Sequence, residues 1–262
     1  MLKVYIGWDS REPIAYDVCE NSILRHSSRN KVQITPIKHR EMRELGLFSR
    51  PWEINARTGN FRDLIDGRPF STEFSHTRFL TPILAEYKGW AIFMDCDMIA
   101  LNDITEIMKY ADEKYAVMVR KHNHRPTNNV KMDNREQYGY ERKNWSSFIL
   151  FNCKHPSNAA LTPQLISTAD GSFLHQFGWL RDSEIGDLPS IYNWIEGISS
   201  GAEKPHIVHY TDGGPWFIDN PKCQDVLFAK EWWTAYERYI STNDKFQYSP
   251  YNPFARKRLI ND

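Results

Sequence analysis

Residues 90–101 read WAIFMDCDMIAL, with Asp95 and Asp97 two apart in an otherwise apolar run. An unpaired carboxylate buried in such a run loses several kcal/mol of solvation or gives up its charge. In extended backbone, residues i and i+2 face the same side, so both carboxylates can meet one ligand. Hard divalent ions such as Mn²⁺ or Mg²⁺ take oxygen ligands and bridge substrate phosphates. Far downstream, IVHYTDGGPWF places His209 near a strand end, followed by Gly213 and Gly214. Imidazole can join two carboxylates as a third ligand, and backbone N–H groups of a glycine turn can cradle phosphate oxygens. A bare D-x-D arises readily by chance, and a lone His is more often packed than ligating. The five apolar residues before Asp95 and the apolar pair after Asp97 favour the metal over a structural role.

Such a site needs a sheet whose strands end at it. KVYIG (3–7) reads as a buried strand, EPIAYDVCENSILRHS (12–27) as a helix with Pro near its start, and KVQITPI (31–37) as a second strand. That order opens a βαβ unit with a parallel sheet, and open α/β sheets bind ligands at the carboxyl ends of their strands. Residues 40–72 read as loop, and 71–87 as a helix capped by Ser71 or Thr72 and kinked at Pro82. WAIFMD is a central strand, DITEIMKYA a helix capped by Asp103, and YAVMVR (115–120) and WSSFILFNC (145–153) further strands. Between them, 122–144 is polar and irregular, a loop able to close over a site. KEWWTAYERYI (230–240) is an amphipathic helix. The expected organisation is one α/β domain over 1–240, with a loosely ordered tail over 241–262.

The totals narrow the function classes. Lys plus Arg and Asp plus Glu are each 33 among 262 residues, which argues against a protein that coats nucleic acid, although FARKRL near the C-terminus is locally basic. No apolar run is long enough to span a membrane, and the first residues lack the layout of a secretory signal. Cys19, Cys96, Cys153 and Cys223 are widely spread, which argues against a zinc cluster or disulfide framework and suits a reducing cytoplasm. Nine Trp suit sugar or base stacking as well as ordinary core packing.

Taken in order, VYIGWD, SHTRFLTP, FMDCDMI, WSSFILFN and VHYTDGGPW resemble the retaining glycosyltransferases of the glycogenin and lipopolysaccharide galactosyltransferase type, over most of residues 1–220. The resemblance implies a GT-A fold, a nucleotide diphosphate sugar donor, usually a UDP-sugar, and Mn²⁺. It implies Asp95, Asp97 and His209 as metal ligands and Arg78 as a cation beside the donor. It further implies Gly7, Trp8 and Asp9 around the nucleoside, and the backbone of Cys96 at the ribose. Ser146 and Ser147 fall where the family carries an Asn-small-Gly element facing the donor sugar. The family's lysine before Pro-Trp is replaced by Gly214, leaving Arg11 or Lys204 as substitute cations for the leaving phosphate. In LHQFGWLRDSEIGDLPSIYNW, the polar residues Gln176, Asp182 and Glu184 match the region beneath the sugar, with Asp182 favoured near the anomeric carbon. An exposed Asp at a helix start is an equal reading of Asp182.

The expected reaction is metal-assisted hexosyl transfer to a hydroxyl acceptor, with retention taken from the resemblance. A glycan, lipid-linked sugar, protein or modified nucleobase would fit as acceptor. Two other classes share a carboxylate pair at a strand end: a metal-dependent sugar-phosphate nucleotidyltransferase and a non-catalytic nucleotide-sugar binding protein. No Gly-rich loop follows the first strand, which weighs against the nucleotidyltransferase. The loss of the lysine keeps the binding protein in view.

Overall fold

The apolar run at the start forms β1 (Leu2–Gly7), and Pro13 sits in the first turn of α1 (Pro13–His26), where its missing N–H costs nothing. The chain returns as β2 (Val32–Ile37), paired in parallel with β1 from Leu2 opposite Val32 to Gly7 opposite Ile37. These positions come from a computed structural model, which describes all residues except 29, 58, 123–141, 143, 202–203 and 243–262. Most of the expected closing loop at 122–144 and of the tail at 241–262 therefore lies outside the described residues.

Next come α2 (His39–Glu44) and three short strands, β3 (Trp52–Ile54), β4 (Phe61–Asp63) and β5 (Pro69–Phe70), which pair antiparallel as a separate sheet. The loop expected over 40–72 thus contains regular structure. One face of this sheet is a stack of Trp52, Phe61 and Phe70, whose ring centroids lie 5.0–5.2 Å apart.

The single kinked helix expected over 71–87 is also corrected. Residues 72–75 form a turn, Thr77–Leu80 a 3₁₀ segment, and α3 only Thr81–Leu84. Pro82 lies in the first turn of α3, the one helical place that tolerates it. The N–H of Glu73 goes to the Asp9 carboxylate at 3.1 Å instead of into a helical ladder.

β6 (Trp90–Met94) and β7 (Met98–Ala100) flank the two aspartates. Asp103 then accepts from the N–H of Thr105 at 2.9 Å as expected, but the turns it caps, Ile104–Tyr110, are 3₁₀. β8 (Val117–Val119) follows, and β9 (Phe148–Asn152) is preceded by a 3₁₀ turn over Trp145–Ser147, where strand was expected. The remaining elements are α4 (Pro163–Thr168), α5 (Gly171–His175), β10 (Ile185–Asp187), β11 (Trp194–Ile195), β12 (Ile207–His209), α6 (Pro221–Gln224) and α7 (Ala229–Thr242).

The central sheet runs β10-β8-β9-β6-β1-β2 and is parallel except for β9, which is antiparallel to both neighbours. This is the α/β, mostly parallel architecture read from the sequence. β6 sits between β1 and β9, and Ala91, Ile92, Phe93 and Met94 are fully buried. Each such side chain contributes roughly 1.5–3 kcal/mol by leaving water, except the smaller Ala.

A second apolar cluster joins Ile14 and Val18 of α1 to Ile99, Val208, Tyr210, Trp216, Trp232 and Tyr236. It locks α7 and the β7–β12 pair onto α1. Ser22 of α1 adds a polar pin, accepting the N–H of Ala100 at 2.9 Å.

Candidate metal centre

Asp95 follows the last residue of β6 and Asp97 precedes the first of β7, so both stand at the carboxyl end of a central strand. β12 pairs antiparallel with β7, bringing His209 opposite Met98, and the N–H of Tyr210 extends the ladder to the carbonyl of Asp97 at 2.9 Å. This register delivers the imidazole to the carboxylates. Ligand atoms of Asp95, Asp97 and His209 all lie within 4.8 Å of one another, and His209 Nε2 is 3.3 Å from Asp97 Oδ1. Two carboxylates and one imidazole suit a divalent ion of the Mn²⁺ or Mg²⁺ kind. The three sequence-derived ligands therefore form one cluster.

Arg78 is 5% exposed and reaches the same cluster, its Nη1 lying 2.9 Å from Asp95 Oδ1. Its Nε donates to the Ser75 carbonyl at 3.0 Å and Nη1 to the Ser146 carbonyl at 2.7 Å, while the guanidinium lies over the Phe93 ring. A buried cation held this way fixes the orientation of Asp95 as well as its charge balance.

Beside the cluster is a cleft bordered by Asp9, Glu12, Cys96, Asp97, Tyr210 and Gly213. Four expected donor-site residues thus meet: Asp9, Cys96, Asp97 and Gly213. Gly7 supports the cleft from behind, since a Cβ there would meet the Phe74 ring at 2.4 Å. Trp8 is half-buried next to Gly7, with the Lys38 ammonium 5.4 Å over its ring. Burial, and next the charge of Asp97, push the Cys96 thiol well above its ordinary pKa. Cys96 therefore offers backbone and packing, not a thiolate.

Other expected residues are placed differently. The Ser146 hydroxyl bonds His175 Nδ1 at 2.7 Å and that of Ser147 donates to the Asn144 carbonyl at 2.6 Å, so both serve protein partners. Arg11 pairs with Asp9 at 2.6 Å and donates to the Ser71 carbonyl. Lys204 is near enough to His26, at the far end of α1, to help lower that imidazole's pKa, which burial lowers most. At Gly214 a Cβ would meet the Trp216 ring at 2.0 Å, and Trp216 Nε1 donates to Glu12 at 3.0 Å. Trp216 thus fills the space a lysine side chain would need to leave that position.

Gln176 and Asp182 share a separate concavity with Arg142 and Phe173. There Arg142 donates to the Gln176 carbonyl at 2.8 Å and pairs with Asp182 at 2.6 Å. Asp182 is 84% exposed, and neither residue borders the cleft beside Asp97. Glu184 is held by Ser157 and the Arg181 N–H, which pull its carboxyl down to about 2.

One residue at the site, Glu12, carried no functional signal in the sequence. It reads only as the first residue of a helix. Asn193, the Asn after Leu-Pro in the stretch that resembles the family's region beneath the sugar, is fully buried, takes φ +53°, and bonds His209 Nδ1 at 2.9 Å, a partner the resemblance did not give it.

No protein-family model matches the chain. Protein CDI of Arabidopsis thaliana is 43% identical to it over 248 residues, covering 93% of this chain and 89% of that protein. Among solved structures, the galactosyltransferase LgtC in complex with donor and acceptor sugar analogs matches with a TM-score of 0.54 at 10% identity, over 90% of this chain and 96% of that one. The glycosyltransferase GlyE of Streptococcus pneumoniae TIGR4 matches with a TM-score of 0.56 at 14% identity, over 92% of this chain. The bifunctional glycosyltransferase WbbM matches with a TM-score of 0.51 at 17% identity, over 89% of this chain. The chain spans only 63% of the GlyE chain and 51% of the WbbM chain. At such identities the structural matches establish a shared fold. With its Asp95–Asp97–His209 cluster at the carboxyl end of the central sheet, the chain has the GT-A glycosyltransferase fold and belongs to the family of Arabidopsis thaliana Protein CDI.

Proposed function

We propose that the protein transfers a hexose from a UDP-sugar to a hydroxyl acceptor with retention of configuration, residues 1–240 acting as one catalytic unit. The observation that carries this reading is the convergence of Asp95, Asp97 and His209 beside a cleft in a GT-A fold. Bound there, a divalent ion, Mn²⁺ or Mg²⁺, supplies Lewis-acid stabilisation of charge on the departing diphosphate. Arg78 holds Asp95 in place and keeps a fixed positive charge beside the leaving group. The N–H of Gly213 donates to the carbonyl of Tyr210, which sets the turn along one wall of the cleft. Asp9, fixed by Arg11 and the Glu73 N–H, presents a rigid carboxylate to the nucleoside end. The acceptor is a hydroxyl of a glycan, lipid-linked sugar, protein or modified nucleobase.

No helix among the described residues is long and apolar enough to cross a membrane; action in a reducing cytoplasm suits the four widely spread, buried cysteines. A thermal-shift panel of nucleotide sugars with and without Mn²⁺ tests the donor. Binding at a hundred times Kd adds about 2.7 kcal/mol of apparent stability. The expected pattern is a shift with UDP-hexose plus Mn²⁺ that EDTA reverses, and no shift with any nucleotide sugar ends the reading.

One observation favours a second reading, a nucleotide-sugar binding protein without turnover. Trp216 is packed on Gly214, and Arg11 is already paired with Asp9, so neither position presents a free cation to a leaving phosphate. Slow hydrolysis of the bound nucleotide sugar, abolished by EDTA and by Asp97→Ala, decides for transfer; binding without hydrolysis decides for the second reading.

A further inference from the structure

We infer that Asn193 is a positioning residue that sets the tautomer of His209 and so makes its Nε2 a metal ligand. The inference rests on the metal-dependent reading above. The side-chain amide of Asn193 donates from Nδ2 to the Asn144 carbonyl at 2.9 Å and to the Ser147 hydroxyl at 3.1 Å. A carbonyl can only accept, so the amide cannot be flipped without setting two oxygens against each other. Asn193 Oδ1 therefore faces His209 Nδ1 at 2.9 Å, and being an acceptor it requires that nitrogen to carry the hydrogen. In the neutral ring this leaves Nε2 with a lone pair, and Nε2 is the atom 3.3 Å from Asp97 Oδ1. Two electron-rich atoms so close, with the Asp95 carboxylate beside them, form a cradle for a cation.

The placement of Asn193 fits this task. It is fully buried, and its φ of +53° is one that Asn, Asp and Gly accept far more readily than other residues. Its neighbour Trp194 opens β11, which runs parallel to β12 and sets Ile195 beside His209. The amide thus reaches the imidazole from a strand that is itself registered against it.

The test uses the full-length protein, Mn²⁺ alone as probe, and two substitutions that both tolerate the backbone. Asn193→Gly removes the acceptor, and Asn193→Asp keeps an oxygen for His209 Nδ1. Free Mn²⁺ is titrated by electron paramagnetic resonance, and long-range ¹⁵N–¹H spectra of the metal-free wild type above neutral pH report the His209 tautomer. The expected result is Nδ1–H in the wild type, a loss of affinity of about 10–100-fold in Asn193→Gly, and tighter binding in Asn193→Asp than in Asn193→Gly, the lost donor to the Asn144 carbonyl notwithstanding. An Nε2–H tautomer in the wild type, or equal Mn²⁺ affinity in Asn193→Gly and wild type, overturns the inference. Failure of the wild type to bind Mn²⁺ sinks the metal reading instead, while the tautomer spectrum still decides on Asn193 without any variant having to fold.

Discussion

Two clusters of acidic residues in the molecule are built in opposite ways. Beneath the small antiparallel sheet, Arg50 and Asp63 are each 2% exposed and paired with one another. Asp63 also accepts the N–H of Ile65 at 2.9 Å, while Asp66 accepts the N–H of Gly171 at 2.9 Å. Arg50 donates onward to the Ala169 carbonyl. The protein itself supplies the cation and the donors, so this cluster is a structural tie between β4 and the end of α4. At the carboxyl end of β6, Arg78 balances Asp95, whereas Asp97 faces the imidazole of His209 at the rim of a cleft. Burial alone does not separate a tie from a site; what separates them is that the second cluster sets two carboxylates and an imidazole together at the rim of a cleft.

The largest test of this contrast is Arg50→Ala. Removing one side of a buried pair strands the other, at a cost of about 3–5 kcal/mol. Chemical denaturation should show that loss, while Mn²⁺ still raises the melting temperature of the folded variant. Asp97→Asn should do the reverse. Metal-free stability stays the same or rises, because a carboxylate beside Asp95 is gone, and the Mn²⁺-dependent shift and nucleotide-sugar hydrolysis fall about 100-fold, near 2.7 kcal/mol. If both variants behave alike, the distinction between the two clusters is wrong.

How much of this was legible follows from the length of each signal. β1, α1, β2 and β6 are long or uniformly apolar, and their patterns survive into the fold. β3, β4 and β5 have two or three residues each, too few for any period to stand out, so residues 40–72 read as loop. The metal cluster was readable because its three members are chemically distinctive. Asn193 was legible as the Asn after Leu-Pro, but its bond to His209 was not, since that depends on what stands opposite in space. Ser146 and Ser147 were legible as positions near the site but not in what they bond, because their hydroxyls turn to His175 and Asn144.

A smaller effect concerns pH. His76 lies between the clusters, and burial, then Arg50 and Arg78, hold its pKa well below the ordinary value, although Asp63 stands 3.4 Å away. Asp63 is already taken by Arg50, so the neutral imidazole prevails. The unfolded chain binds a proton to this ring below about pH 6.5 and the folded one does not. The stabilising contribution is complete above that value and is lost as pH falls below it. Melting temperatures should therefore drop from pH 7.5 towards 5, and His76→Gln should flatten part of the slope, with His26 and His39, also lowered chiefly by burial, accounting for the rest. The smallest effect is expected at Asp182, whose pair with Arg142 is solvent-exposed. Asp182→Asn should change stability by less than about 1 kcal/mol, and its hydrolysis rate measures whether the concavity with Gln176 shares in catalysis.

The β7–β12 ladder has a consequence for how the protein is made. Its two strands are separated by about 110 residues of chain, so their pairing closes a long loop and depends on contacts that form late. A ribosome delivers both aspartates well before the histidine that completes their cluster. A nascent chain halted after β9 would hold a carboxylate pair with no imidazole, so the three-residue cluster is complete only once β12 has emerged.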